Sequence, residues 1–117
     1  MNIERLREYC IKKKGVTEEF PFDNDTLVFK VRGKIFALLS LEGDFAVNLK
    51  CDPELAVELR EQYPCVIPGY HMNKTHWNTV NIDGSVADKL IYSWIDHSYE
   101  IVVSKLPRKT REMLNNH

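Results

Sequence analysis

Residues 27–51 read LVFKVRGKIFALLSLEGDFAVNLKC, and the fold turns on how this stretch divides. Leu27 to Arg32 alternates around Val28, Phe29 and Val31, and Ile35 to Leu41 is a nearly continuous apolar run. In Phe45 to Cys51, Phe45, Val47, Leu49 and Cys51 share one face while Ala46, Asn48 and Lys50 share the other. Short runs with this alternation carry strand patterning rather than the repeat of a helix. The links, Arg32-Gly33-Lys34 and Glu42-Gly43-Asp44, each hold a glycine able to take the positive φ of a hairpin turn. The stretch predicts a three-strand antiparallel meander.

Helical patterns bracket it. From Asn2 to Lys14, Ile3, Leu6, Cys10 and Ile11 form one apolar stripe, with Asn2 as N-cap and Gly15 placed for a left-handed C-cap after Lys12, Lys13 and Lys14. Thr17 to Asp25 reads as an acidic connection containing Pro21. Beyond the meander, Asp52-Pro53-Glu54 is a helix start: a capping carboxylate, a proline in the first turn and an acid at the positive dipole end. That helix should run to Gln62, bury Leu55, Ala56 and Leu59, and stop at Pro64. Cys65 to Ile67 and Thr79 to Ile82 read as two more short strands. Asp83-Gly84 turns the chain, and Ser85 with Asp88 resembles a capping box. A last long helix from Val86 to Lys105 buries Leu90, Ile91, Trp94, Ile95, Ser98, Ile101 and Val102, and Pro107 ends it. Residues 108–117 form a basic tail with some helical character.

The order is therefore α-β-β-β-α-β-β-α in a single domain over residues 1–117. It predicts a two-layer α+β sandwich, a twisted antiparallel sheet of about five strands with flanking helices. The length of 117 residues suits one domain with one core. Lys+Arg total 16 and Asp+Glu 17, a net charge of -1, which excludes a uniformly basic histone-like protein but not a local basic face. The basic groups cluster in residues 1–16, 26–51 and 105–117, and the acids in 17–25, 52–63 and 83–104. No apolar run approaches the ~18–20 residues of a membrane span, so no membrane association is expected. Met1 to Lys14 lacks the apolar stretch of a signal peptide. Cys10, Cys51 and Cys65 contain no CxxC pair and read as free, partly buried thiols of a cytoplasmic protein.

Five stretches carry a family resemblance: Pro21-Phe22, VFKVRGKIFAL (28–38), LKCDPELAVELR (49–60), PGYHMNKTHWNTVNIDGSV (68–86) and IDHSYEIVVSKLP (95–107). Together they resemble the MmcQ/YjbR family of small bacterial proteins over nearly the whole chain. The most specific part is PGYH followed by Lys74, His76 and Trp77, since neither packing nor turn chemistry demands that string. The resemblance implies a compact α+β fold similar in shape to frataxin (CyaY) and to secretion chaperones. It also implies a DNA-binding role with β-hairpins likened to paired wings.

The residues themselves point to the same candidate surface. Lys74 can meet a phosphate, while Tyr70, His71, His76 and Trp77 can stack on bases, and Asn73 and Asn78 can donate or accept. Trp77 equally suits a buried anchor for its loop. Arg32 and Lys34 at the first hairpin tip, and Arg108, Lys109 and Arg111 in the tail, would extend a basic face if the fold gathers them with Lys30, Lys50 and Lys74. The expected partner is DNA. The chain itself is expected to be a monomer or weak dimer, and the alternatives are a protein-interaction or chaperone-like module, which a robust dimer would favour, and a small-molecule binder under the Tyr70–Trp77 loop. No metal spacing, glycine-rich phosphate loop or nucleophile elbow is present, so neither a cofactor nor enzymatic activity is expected.

Overall fold

The computed structural model describes residues 1–21, 24–41, 43, 45–69 and 72–115. Tyr70 and His71 of the candidate loop, Phe22, and Glu42 and Asp44 of the second predicted turn lie outside the described residues.

Helix α1 (Ile3–Ile11) is followed by strands β1 (Val16–Glu19), β2 (Thr26–Val31), β3 (Lys34–Ser40) and β4 (Ala46–Lys50). Helix α2 (Pro53–Gln62), strands β5 (Val66–Pro68) and β6 (Trp77–Asn81), and helices α3 (Asp88–Ser104) and α4 (Arg108–Asn115) complete the chain. The strands form one six-stranded sheet in the order β1-β2-β3-β4-β6-β5, with every neighbouring pair antiparallel. The architecture is the expected α+β sandwich with the expected meander at its centre. None of the described helices is long and apolar enough to cross a membrane.

The register assigns the two faces. Leu27, Phe29 and Val31 of β2 line up with Ala37 and Leu39 of β3, Val47 and Leu49 of β4, and Val80 of β6. These residues pack against Leu6 and Cys10 of α1, Ala56 and Leu59 of α2, Ile91, Trp94, Ile95 and Val102 of α3, and Leu114 of α4. The helices therefore share one face of the sheet, and burial of that apolar surface is the main stabilising term. On the opposite face a smaller cluster joins Val28, Leu38 and Trp77, with Ile35 and Met72 packed against it.

One irregularity organises the core. The pairing shifts between Phe29 and Lys30, which face Ala37 and Ile35 respectively and leave Phe36 without a partner on β2. This is a β-bulge, and it lets Phe36 and Ala37 both enter the core although they are consecutive. The unbroken apolar run of this strand thus serves a bulged strand. Ser98 on α3 completes the arrangement: its hydroxyl donates to the Phe36 carbonyl at 2.6 Å and accepts from the Lys50 N–H at 2.9 Å.

One element was absent from the sequence expectation, and another is more regular than expected. The acidic connection begins with a strand, β1, paired to β2 from Val16↔Val31 to Glu19↔Val28. Its acids are held by distant cations, Glu18 by Arg7 of α1 and Glu19 by Lys30 of β2. A short charged edge strand has no apolar alternation to announce it. The tail forms a helix, α4, whose Leu114 is buried while Met113 stays exposed. Leu114 sits over Gly15, where an added Cβ would stand 2.6 Å from its Cδ1. Gly15 also has φ +73°, so both conformation and close approach call for glycine.

Helix ends moved slightly. α1 stops at Ile11 rather than Lys14, because the N–H groups of Lys13 and Val16 turn to the carbonyls of Cys10 and Lys13. Asn2 caps α1 through Arg5 N–H, and Asp52 caps α2 through Leu55 N–H, as their sequence positions imply. The Ser85 capping box does not form: α3 has Ala87 at its N-cap without a side-chain cap, and Ser85 N–H donates instead to Asp83 Oδ1. An aspartate two residues before an amide captures it locally before a helix can use it.

The first hairpin closes on Arg32 and Gly33, with φ of +49° and +84°, between the paired residues Val31 and Lys34. Two-residue turns of this hand need positive φ at both central positions, a conformation that strains arginine and suits asparagine. Arg32→Asn is expected to stabilise the fold by about 0.5–1 kcal/mol, seen as a higher urea midpoint. A lower midpoint would show that the Arg32 stem, which lies alongside Gly15, contributes more than the turn strain costs.

Candidate functional site

Antiparallel topology decides where the candidate residues go. The end of β2, the start of β3, the end of β4, the start of β6 and the end of β5 all lie at one end of the sheet. Lys50 stands opposite Trp77 across the β4–β6 pair, and Lys34 starts the strand on the other side of β4. The last turn of α3 arrives at the same end, where Val102, Lys105 and Leu106 face Lys34, Ile35 and Lys50 across a cleft of about 340 Å³. The Arg32 amide donates to the Gly15 carbonyl, and Leu114 of α4 covers Gly15, so the start of β1 and α4 meet here too.

This end is where the free positive charge gathers. Lys34, Lys50 and Lys105 line one cleft without a carboxylate among its described lining residues. No described carboxylate forms an ion pair with any of the three. Burial, and then the positive charge of Lys105, pull the Lys50 ammonium below the usual lysine range. Both causes disfavour its charged form.

Several other cations are already paired. Arg7 pairs with Glu18, Lys30 with Glu19, and Lys13 with Asp96. Lys13 also lies over the rings of Tyr9 and Tyr99, at 4.8 and 5.2 Å from their centroids. Lys30 is therefore part of the sheet's own charge balance, not of a free basic face. In α4, Arg108 pairs with Glu112 four residues on, yet its side chain remains 87% exposed. Lys109 is exposed, whereas Arg111 is partly buried and its Nε makes no hydrogen bond.

The loop before β6 contributes less than its composition suggests. Trp77 is only 7% exposed and packs with Val28 and Leu38, so its ring is an anchor for the loop. Asn78 is buried, donates to the Ala56 carbonyl, and accepts from Arg60 Nε at 2.6 Å. Asn73 Oδ1 accepts from the Thr75 amide. Lys74 is exposed at the loop tip, and His76 is partly buried with its carbonyl taken by the Cys51 amide.

Sequence reading missed the residue that holds this loop. Arg60 of α2 donates to the carbonyls of Lys74 and Trp77 as well as to Asn78. One guanidinium with its fork of donors thus ties the loop tip to the start of β6. A lone arginine late in a helix carries no local mark of such a role. The sequence named Lys50 only as one member of a conditional basic face and did not single out Lys105, because their partnership depends on α3 crossing the ends of β3 and β4.

Burial quiets two of the thiols. Cys10, Cys51 and Cys65 are free and buried. Burial pushes the Cys10 thiol up to about 12 and the Cys51 thiol up to about 11. At neutral pH both stay protonated and unreactive.

The YjbR family model matches residues 11–101. The chain belongs to the YjbR family. It is 41% identical over 115 residues to the protein YjbR of Escherichia coli K12, covering 97% of this chain and 98% of that protein. Similarity extends to YbdF of Escherichia coli O157:H7, 38% identical over 94 residues, covering 80% of this chain and 77% of that one. Among solved structures, a Deinococcus radiodurans protein with the domain DUF419 superposes with a TM-score of 0.92 at 38% identity, over 97% of this chain and 88% of that one. A Pseudomonas syringae protein superposes with a TM-score of 0.76 at 33% identity, over 86% of this chain and 98% of that one. Both Escherichia coli relatives bear the description uncharacterised, so YjbR membership accounts for the fold and leaves the activity to the site's own chemistry.

Proposed function

We propose that this YjbR-family chain is a small DNA-binding module that meets phosphates with the basic end of its sheet. The observation that carries the reading is the convergence of Lys34, Lys50 and Lys105 on one cleft with no carboxylate among its described lining residues. Unpaired ammonium groups held close together repel one another, and an anion placed among them removes that repulsion. Arg32 on the hairpin tip stands two residues before Lys34, while α4 carries the exposed Lys109 and an Arg108 that is paired with Glu112. Lys74 and His76 stand at the same end of the sheet, in the loop that leads into β6 and that Arg60 holds. Trp77 supports that loop from beneath and takes no part in the contact.

Such a surface reads charge and shape more than sequence, since ammonium groups on phosphates carry no base information. Between about 50 and 200 mM salt, a protein making three to five phosphate contacts should lose about 10²-fold or more in affinity. Fluorescence anisotropy with single- and double-stranded DNA at both salt concentrations measures this. Absence of binding to either form at the lower salt would overturn the reading.

Among the described residues no group of three or more His, Cys, Asp or Glu side chains is placed to hold a metal ion.

A further inference from the structure

The same cleft carries a more specific inference, which rests on the nucleic-acid reading for its setting but not for its test. We propose that the cleft between Lys34, Lys50 and Lys105 is a pocket for a phosphomonoester, the terminal phosphate of a nucleotide or of a DNA strand.

Three observations point this way. First, the cations come from three separate elements, the start of β3, the end of β4 and the end of α3, and they surround a concavity. Its volume of about 340 Å³ lies within the ~300–1,000 Å³ typical of small-molecule sites and leaves room beside a phosphate for a sugar. A strand running past the protein needs a groove, while a chain end or a free nucleotide can enter a pocket.

Second, the charge matches a dianion. Phosphodiesters carry a single negative charge, whereas a phosphomonoester near neutral pH carries about 1.5 to 2. Three lysines exceed what one diester oxygen pair would balance. Lys50 is half-buried beside Lys105 with no carboxylate partner among the described residues, so it holds a charge that its surroundings disfavour until an anion arrives.

Third, the lining is divided. Ile35, Val102 and Leu106 supply an apolar wall next to the lysines. This is the composition of a site that takes an anionic group at one side and a less polar body at the other. The Lys50 amide is already bound to the Ser98 hydroxyl, which fixes the backbone and leaves the ammonium group as that residue's donor to a ligand.

The test uses thymidine 5′-monophosphate and thymidine as paired probes, followed by amide chemical shifts of the labelled full chain at constant ionic strength. The monophosphate should shift the amides of Lys34, Ile35, Lys50, Lys105 and Leu106, and thymidine should not. Inorganic phosphate should shift the same set more weakly. Lys50→Gln and the exposed Lys105→Gln should each weaken the response about three- to tenfold while the remaining spectrum stays folded, the effect of removing one partly screened charge.

A second arm separates the two sources. If strand ends are the ligand, a 5′-phosphorylated oligonucleotide should bind about three- to tenfold tighter than its 5′-hydroxyl counterpart. Cleft shifts with the monophosphate but no preference between the oligonucleotides assign the pocket to the free nucleotide. No cleft shifts with the monophosphate, or equal shifts with thymidine, overturn the pocket even where DNA binds. Cleft shifts in a chain that binds no DNA leave the pocket standing and overturn the nucleic-acid reading.

Discussion

Replacing Phe36 with alanine is expected to lower the free energy of unfolding by about 3–5 kcal/mol. Phe36 is fully buried, and it is the bulged residue through which β3 sends a second consecutive side chain into the core. Its ring lies 6.5 Å from that of Phe29 and meets Tyr99 edge-on at 5.4 Å. Truncation removes apolar transfer energy and both ring contacts, and leaves a cavity between a sheet and a helix that cannot close around it. Phe36→Leu should lose clearly less, because it keeps most of the volume. Urea unfolding of both variants measures the difference. A loss below about 1 kcal/mol for alanine would mean that the bulge does not seat Phe36 in the core.

Ser98→Ala is the second large effect, about 2–4 kcal/mol from a single oxygen atom. The hydroxyl serves two backbone groups at once, the Phe36 carbonyl and the Lys50 amide, and Ser98 is fully buried. Neither strand can supply the missing partner, since the β3–β4 register ends at Ala37↔Leu49. Two polar groups would be left without hydrogen bonds, each costing about 1–3 kcal/mol. Hydrogen exchange at the Lys50 amide should accelerate in step with the lost stability or beyond it. A variant with unchanged stability and unchanged exchange there would contradict the role assigned to Ser98.

These residues show where sequence reading succeeds. The period-two alternation of β2 and β4 arises from a sheet with one helix-covered face, and it is visible because burial acts on every second residue. Asp52-Pro53 marks a helix start because capping is local chemistry. Ser98 fell on the predicted buried stripe of α3, but its two acceptor and donor partners lie 62 and 48 residues away. Periodicity places a residue on a face and says nothing of what crosses that face.

The same distinction governs the candidate site. Lys34 was legible as part of a basic hairpin, and the loop holding Lys74 and His76 by its unusual composition. Lys50 and Lys105 depended on tertiary placement: α3 had to cross the ends of β3 and β4 before two lysines 55 positions apart could share a cleft. Trp77 and Asn78 had the composition of a ligand loop, yet an apolar cluster takes the first and Arg60 with Ala56 takes the second. Strand β1 was hidden because its two glutamates are stabilised by cations from α1 and β2, a pairing that leaves no trace in the segment itself. The near-neutral net charge of -1 conceals a separation in space, with paired cations along β1 and β2 and unpaired ones at the end of the sheet.

The most direct measurement is the salt dependence of DNA binding in the wild type against a chain carrying Lys34→Gln, Lys50→Gln and Lys105→Gln together. Each lost phosphate contact should reduce the slope of log affinity against log salt by about 1, so the triple variant should lose about 2–3 of it. The account predicts that loss with the fold intact by circular dichroism. An unchanged affinity and slope in the folded triple variant would contradict it.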